Sequence, residues 1–318
     1  MEVTAARAWV RRINRLIISL VAVLTLSFLM IQLIPGDPVR TALGPDAPQE
    51  LVLERTHQLG LDRNIFIQYI NYWKNVFTGN LGDSIIYGTP ISSMLAARAP
   101  NTLILVAMSM VATLVLALLG GVVVGIVTRS SRLTSLRLFF NMSTAWVGAL
   151  PSFLLAPVFV YFFAMRAGWF PIAFASGYKW FVLPLAAIAL GTIANLSRIV
   201  RSSTEKVLGE DYILVARSKR LPRRRIYFRH ALPNLLTAAL TIGGLQVGAA
   251  VTGTIVVEQV FAIPGLGQML TTAIVQGDFP AAQICMLIFA TSVLVVNLVV
   301  DILLVFFDPR AGREVGQS

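Results

Sequence analysis

The run TLILVAMSMVATLVLALLGGVVVGIV, residues Thr102–Val127, holds 26 residues and no charge. A helix rises about 1.5 Å per residue and needs about 20 apolar residues to cross hydrocarbon, so this run reads as a membrane span. Five further segments read the same way: Leu16–Ile34, Leu138–Ala164, Phe181–Ile199, Leu235–Val257 and Ala281–Phe307. Nowhere does the sequence show the strict alternation of a membrane β-strand. The 318 residues are 56% hydrophobic and 13% charged, more apolar than a soluble domain can bury around one core. The expected fold is an all-α integral membrane protein with six transmembrane helices. Its first span follows the basic run RAWVRRINR and ends in LIPGDP rather than a small-residue cleavage site, so it reads as retained.

Six crossings leave both ends on one side. The N-terminus, the segments after spans two and four and the C-terminus hold 19 of the 26 Lys and Arg, with Arg198 counted among them. The segments after spans one, three and five hold seven. This bias places both termini in the cytoplasm of a multi-pass membrane protein and accounts for the net charge of +11 without nucleic acid. The expected division is 1–34, cytoplasmic N-terminus and span one; 35–101, an extracytoplasmic segment; 102–307, a five-helix core; and 308–318, a cytoplasmic tail. Within 35–101, LVLERTHQLGL and FIQYINYWKNVF have helical apolar spacing, which suggests a small folded cap. The stretch FAIPGLGQMLTTAIVQGDFP is apolar but broken by Pro264, Gly265, Gly267, Gly277 and Pro280, so it belongs at the interface or against protein.

Catalytic chemistry finds no foothold. Cys285 is the one cysteine and lies in an apolar run, His57 has no ligand neighbour, and neither HExxH nor GxxxxGK[ST] occurs. No metal and no cofactor is expected on this chain, and it is not expected to be an enzyme.

The connector EDYILVARSKRLPRRRIYFRHALPN, Glu210–Asn234, holds seven Lys and Arg, two acids and two prolines. Asp211 reads as an N-cap of a helix of about two turns, with Tyr212, Val215, Ala216 and Lys219 on one face. Pro222 limits that helix and Pro233 opens the next span. Contact with anionic headgroups accounts for Arg223, Arg224 and Arg225, but not for Glu210 and Asp211, which headgroups repel. A short helix of mixed charge with a small apolar face suits a protein groove.

The connector resembles that of the integral-membrane subunits of bacterial ABC importers, specifically the dipeptide and oligopeptide permeases. Asp211, Tyr212, Ala216, Arg217, Lys219, Arg229, His230, Ala231 and Leu232 match their pattern. Ser218 stands where that family has Ala, and Arg220 where it has Gly. The missing Gly implies that no left-handed turn is required at 220, or that the turn is made differently. LIPGDPV, NVFTGNLGDSI, VVEQVFAIPGLGQML and NLVVDILLVFFDPR are similar to the same family, in order along the whole chain.

The resemblance implies a type I ABC importer transmembrane domain, as the first (B-type) permease subunit. A coupling helix near 210–222 would seat in an ATPase subunit through Glu210, Asp211, Tyr212, Val215, Ala216, Arg217, Lys219, Arg220, Pro222 and Arg224. Implied partners are a second homologous permease, two ATP-binding subunits carrying ATP and Mg, and an extracytoplasmic solute-binding protein, with 35–101 as a docking surface. The implied cargo is di- or oligopeptides, alternatively nickel complexes, glutathione or another small solute. A stand-alone secondary transporter is the rival, and the scarcity of membrane acids and the missing inverted repeat count against it.

Among polar span residues, Gln246, Thr252, Glu258, Asn297 and Asp301 are candidates for the path or a gate. Glu258, at the external end of its span, reads as an anchor for the IPGLG turn, and Asp301 as half of a structural pair. Gly121 with Gly125, and Gly244 with Gly248, have the spacing of close helix packing. Pro151, Pro157 and Pro184 are expected to kink or break spans three and four.

Overall fold

The structure, a computed structural model, describes residues 2–32, 38–44, 46–129, 133–175 and 177–307. Its helices run in the order α1 (Glu2–Gln32), α2 (Pro38–Leu43), α3 (Gln49–Leu59), α4 (Ile65–Thr78), α5 (Ile91–Val127), α6 (Thr134–Ala149), α7 (Ser152–Phe159), α8 (Val182–Val207), α9 (Asp211–Ser218), α10 (Arg223–Arg225), α11 (Leu232–Leu245), α12 (Val247–Val260), α13 (Leu266–Gln276) and α14 (Phe279–Phe307). Among the described residues the one β-pairing is an isolated bridge between Asp83 and Pro90.

Among the described residues, four helices are long and apolar enough to cross a membrane, within α1, α5, the segment Tyr178–Val207 and α14. The third expected span is not straight. Its two arms, Thr134–Ala149 and Ser152–Arg166, meet at 93°. Pro151 lacks the N–H that would continue the α6 ladder, and Leu150 before it is extended, with ψ 117°. Pro157 lies inside α7, which widens into a π-helical turn over Val160–Arg166. Pro184, expected to kink span four, instead lies in the first turn of α8, where proline is tolerated. The fifth expected span is carried by α11 and α12, of 14 residues each. They meet at Gln246, whose N–H bonds Gly243 O three residues back rather than four (3.1 Å).

The chain forms two compact units. One contains Leu105–Phe261, the other Arg12–Ile104 and Ala262–Leu294. In the first, the C-terminal part of α5 lies against α8. A Cβ on Gly121 would stand 2.6 Å from Ser197 O and 2.7 Å from Val200 Cβ, and one on Gly125 would stand 2.7 Å from Thr204 Cβ. Two bare glycines therefore let the backbones approach where no side chain fits. Gly244 and Gly248 lie outside the residues whose surroundings are described. Ala117, Leu196, Val200 and Ala239 form a core across α5, α8 and α11. Asn195 Nδ2 donates to Gly148 O (3.1 Å), joining α8 to α6.

In the second unit, the two apolar stretches expected to be helical are α3 and α4. Asp278 is buried at 1% exposure. It accepts from Ser84 Oγ and from Ile85 N (3.2 Å), while Ser84 Oγ accepts from Tyr87 N (2.9 Å). This carboxylate holds the loop between α4 and α5 to the start of α14. Replacing Asp278 with Ala leaves the buried Ser84 O–H and the half-buried Ile85 N–H without an acceptor, at about 1–3 kcal/mol each. Faster proteolysis within 82–90 than in the parent is the expected result, and unchanged cleavage would show that the lock is unimportant.

Candidate coupling site

α8 ends at Val207 and the chain turns through Gly209 into α9. Glu210, with extended backbone (φ −67°, ψ 150°), is the N-cap and makes no side-chain cap bond. Asp211, expected at the cap, is the first helical residue, where its carboxylate favours the positive end of the helix dipole.

The C-terminus of α9 closes before Pro222 is reached. Arg220 N donates to Arg217 O (2.8 Å) and Leu221 N to Ala216 O (3.3 Å). Arg220 has φ 54°. These two bonds around a left-handed residue make a Schellman motif, completed by packing of Leu221 on the cluster that contains Ala216. The left-handed turn usually given to Gly is thus present and is made by Arg220. That conformation costs an L-residue about 1–2 kcal/mol. Arg220→Gly should relieve it, lowering local opening of α9 about fivefold in hydrogen exchange. Unchanged or weakened protection would contradict the strained turn. Pro222 accepts from Arg225 N (2.9 Å) and starts α10. Pro233 does not open a separate helix, because a π-helical turn over Ile226–Ala231 leads straight into α11.

α9 turns Ile213 (0% exposed) and Ala216 (5%) inward. They pack with Leu208, Ile226, Ala231 and Leu235, and with Val122 and Ile126 of α5. Val122 also touches the α5–α8–α11 core. Tyr212 Oη accepts from Asn234 Nδ2 (2.7 Å), tying the start of α9 to the start of α11. One turn before the end of α8, Arg201 Nη1 pairs with Glu205 Oε1 (2.8 Å), and Thr128 Oγ1 at the end of α5 donates to the same oxygen (3.5 Å). The expected face is therefore split: Ala216 lies in the chain's own core, whereas Tyr212 and Val215 are exposed. Leu214 and Phe228, not singled out by the sequence, are exposed beside the connector's own chain. Glu210, Asp211, Arg217, Lys219, Arg220, Pro222 and Arg224 are exposed as well. Exposed apolar side chains among mixed charges on a well-packed base are the anatomy of a docking surface.

The path candidates do not form one group. Gln246 lines a cavity of about 20 Å³ with Ser109, Thr113 and Thr192, none of which the sequence marked out. Thr252 and Asn297 are exposed, Glu258 is fully buried, and none of the three lines that cavity. Asp301 falls in α14, with its side chain outside the described residues. At the IPGLG turn, Asn101 Nδ2 donates to Pro264 O (2.8 Å) and Thr102 Oγ1 accepts from Leu266 N (2.8 Å). Thr102 thereby supplies the cap bond that Gly265, at the N-cap of α13, has no side chain to make.

Apolar helices of spanning length, a bent third span and the absence of strands among the described residues define an all-α integral membrane protein. Residues 118–313 match the family described as binding-protein-dependent transport system inner membrane component, and residues 6–106 match its N-terminal part. The chain belongs to that family and is a permease of an ABC importer. It is 33% identical over 300 residues to the glutathione transport system permease protein GsiC of Salmonella typhimurium, covering 94% of this chain and 96% of that one. It is 31% identical to the GsiC protein of Escherichia coli, covering 94% of this chain and 97% of that one. Permeases of this kind work with a further permease, ATPase subunits and a binding protein.

Proposed function

We propose that this chain forms half of the translocation path of an importer for short peptides, is paired with a second, homologous permease, and is moved by ATPase closure on α9. The observation that carries the reading is the two-sided character of α9. Its inward residues share one packed cluster with α5, α8 and α11, while Leu214, Val215 and the Tyr212 ring are exposed to a partner's cleft. Packed interiors transmit displacement rather than absorb it, so a push on α9 reaches three helices at once. Ala216 then acts by holding α9 to its base and not by touching the ATPase. ATP and Mg belong to the two ATP-binding subunits, and a solute-binding protein delivers cargo on the opposite side. The 19-to-7 distribution of Lys and Arg supports both termini, and α9, lying in the cytoplasm.

Gln246, with Ser109, Thr113 and Thr192, is the polar group proposed to border the path. The cargo reading rests on the peptide-permease motifs and on relatives named for glutathione, itself a tripeptide. Proteoliposomes holding the complete importer and its binding protein should accumulate labelled di- and tripeptides or glutathione with ATP. Accumulation of a nickel complex with none of these would overturn the cargo assignment.

A further inference from the structure

α4 is amphipathic in an unusual way: it has two apolar faces. One meets α1. Tyr69 Oη lies 2.8 Å from Thr25 Oγ1, and the Phe28 ring meets those of Tyr69 and Tyr72 at 5.2 and 5.8 Å. Gln32 Nε2 donates to Gln68 Oε1 (3.0 Å). The other apolar face is a stripe of Phe66, Ile70 and Phe77, exposed at 74, 65 and 67%. Trp73 flanks it, 5.7 Å from the Phe77 ring and 6.0 Å from the Tyr69 ring. The polar face, with Gln68, Asn71, Lys74 and Asn75, borders a cavity of about 400 Å³ shared with α3. Water-facing needs are thus met on the polar side, and the stripe carries no charge at all.

The level of α4 follows from the partners that Gln68, Tyr69 and Tyr72 find on α1. Thr25 and Phe28 lie inside the apolar window Asn14–Gln32. They precede Gln32 by seven and four residues, so they sit roughly 10 and 6 Å below it along the helix. Leu26 and Leu29 of the same stretch are exposed at 62 and 38% and continue the apolar surface. A helix tied to that depth presents its apolar stripe where lipid, and not water, is the solvent. We propose that α4 is an interfacial helix, with Phe66, Ile70 and Phe77 immersed in the acyl-chain boundary of the leaflet at the C-terminal end of α1. The stripe is expected about 5–10 Å into the headgroup–acyl boundary. A segment read from sequence as an external cap is on this account partly seated in the membrane, whatever cargo the importer carries.

The test uses the complete importer in phosphatidylcholine–phosphatidylglycerol vesicles, with Cys285→Ala as background. Single cysteines at 66, 70 and 77, and at 71 and 75, carry spin labels read by collision with oxygen and with a water-soluble nickel chelate. The stripe should show an oxygen-to-nickel ratio several-fold above that of the polar positions. Equal ratios, or a stripe shielded from both reagents by a protein, would overturn the proposal. If labelled variants fail to assemble, the native importer is irradiated in vesicles containing a phospholipid with a diazirine in its acyl chain. Adducts on Phe66, Ile70 or Phe77 support the proposal. Labelling of Ile17 and Ile18 with none on 65–78 contradicts it.

Discussion

Val215→Asp in the complete importer should lower ATP-driven uptake by more than tenfold while the permease still assembles with its partners. Val215 is 53% exposed on α9 and supports nothing in the chain's own core, so the fold should tolerate the change. A carboxylate there would be desolvated in the ATPase cleft, with only the Lys219 ammonium one turn on to offset it, a cost of about 2–4 kcal/mol at the centre of an interface. ATP hydrolysis should persist, no longer stimulated by loaded binding protein. Ala216→Leu should fail differently. Ala216 is 5% exposed in the cluster under α9, and a larger side chain there would lift the helix and lower permease stability. Stimulated hydrolysis and uptake unchanged in Val215→Asp would remove α9 from the transmission route.

The second large effect is expected in the membrane. Gly121→Leu places a side chain where a bare Cβ already meets the Ser197 carbonyl oxygen at 2.6 Å. A backbone atom cannot rotate away, so α5 and α8 must separate. Overpacking costs about 1–3 kcal/mol where side chains can yield, and this site offers only backbone and the β-branched Val200. The folded yield should fall sharply, with early aggregation on heating. Gly120→Leu is the control, since a Cβ on Gly120 meets nothing within 4 Å. Equal losses in both variants would mean that the effect is not helix approach.

What the sequence disclosed and what it hid follow from the physics of each site. Apolar runs announce themselves by length alone, and the connector's prolines and charges marked out α9 before any fold was known. The face of α9 was misjudged because Tyr212, Ile213, Leu214, Val215 and Ala216 are five consecutive apolar or aromatic residues, which leave helical phase undetermined. The choice was made by the Leu221–Ala216 contact of the turn, invisible without the turn itself. At Arg220 the sequence leaves two alternatives, no left-handed turn or one made without Gly, and the two capping bonds with the Leu221 contact decide for the second. The Asn101 and Thr102 contacts to the IPGLG turn are non-local and leave no trace in spacing. Pro151 marks a kink or a break, and the structure shows the break, but nothing in composition gives its angle of 93°.

The most direct measurement of the central claim is reconstitution with and without the motor. With ATPases, second permease and binding protein present, vesicles containing this chain should accumulate solute when ATP is supplied. The purified chain by itself should accumulate none, under ATP or under an ion gradient. Uphill uptake by the isolated chain would contradict a path moved only from outside itself.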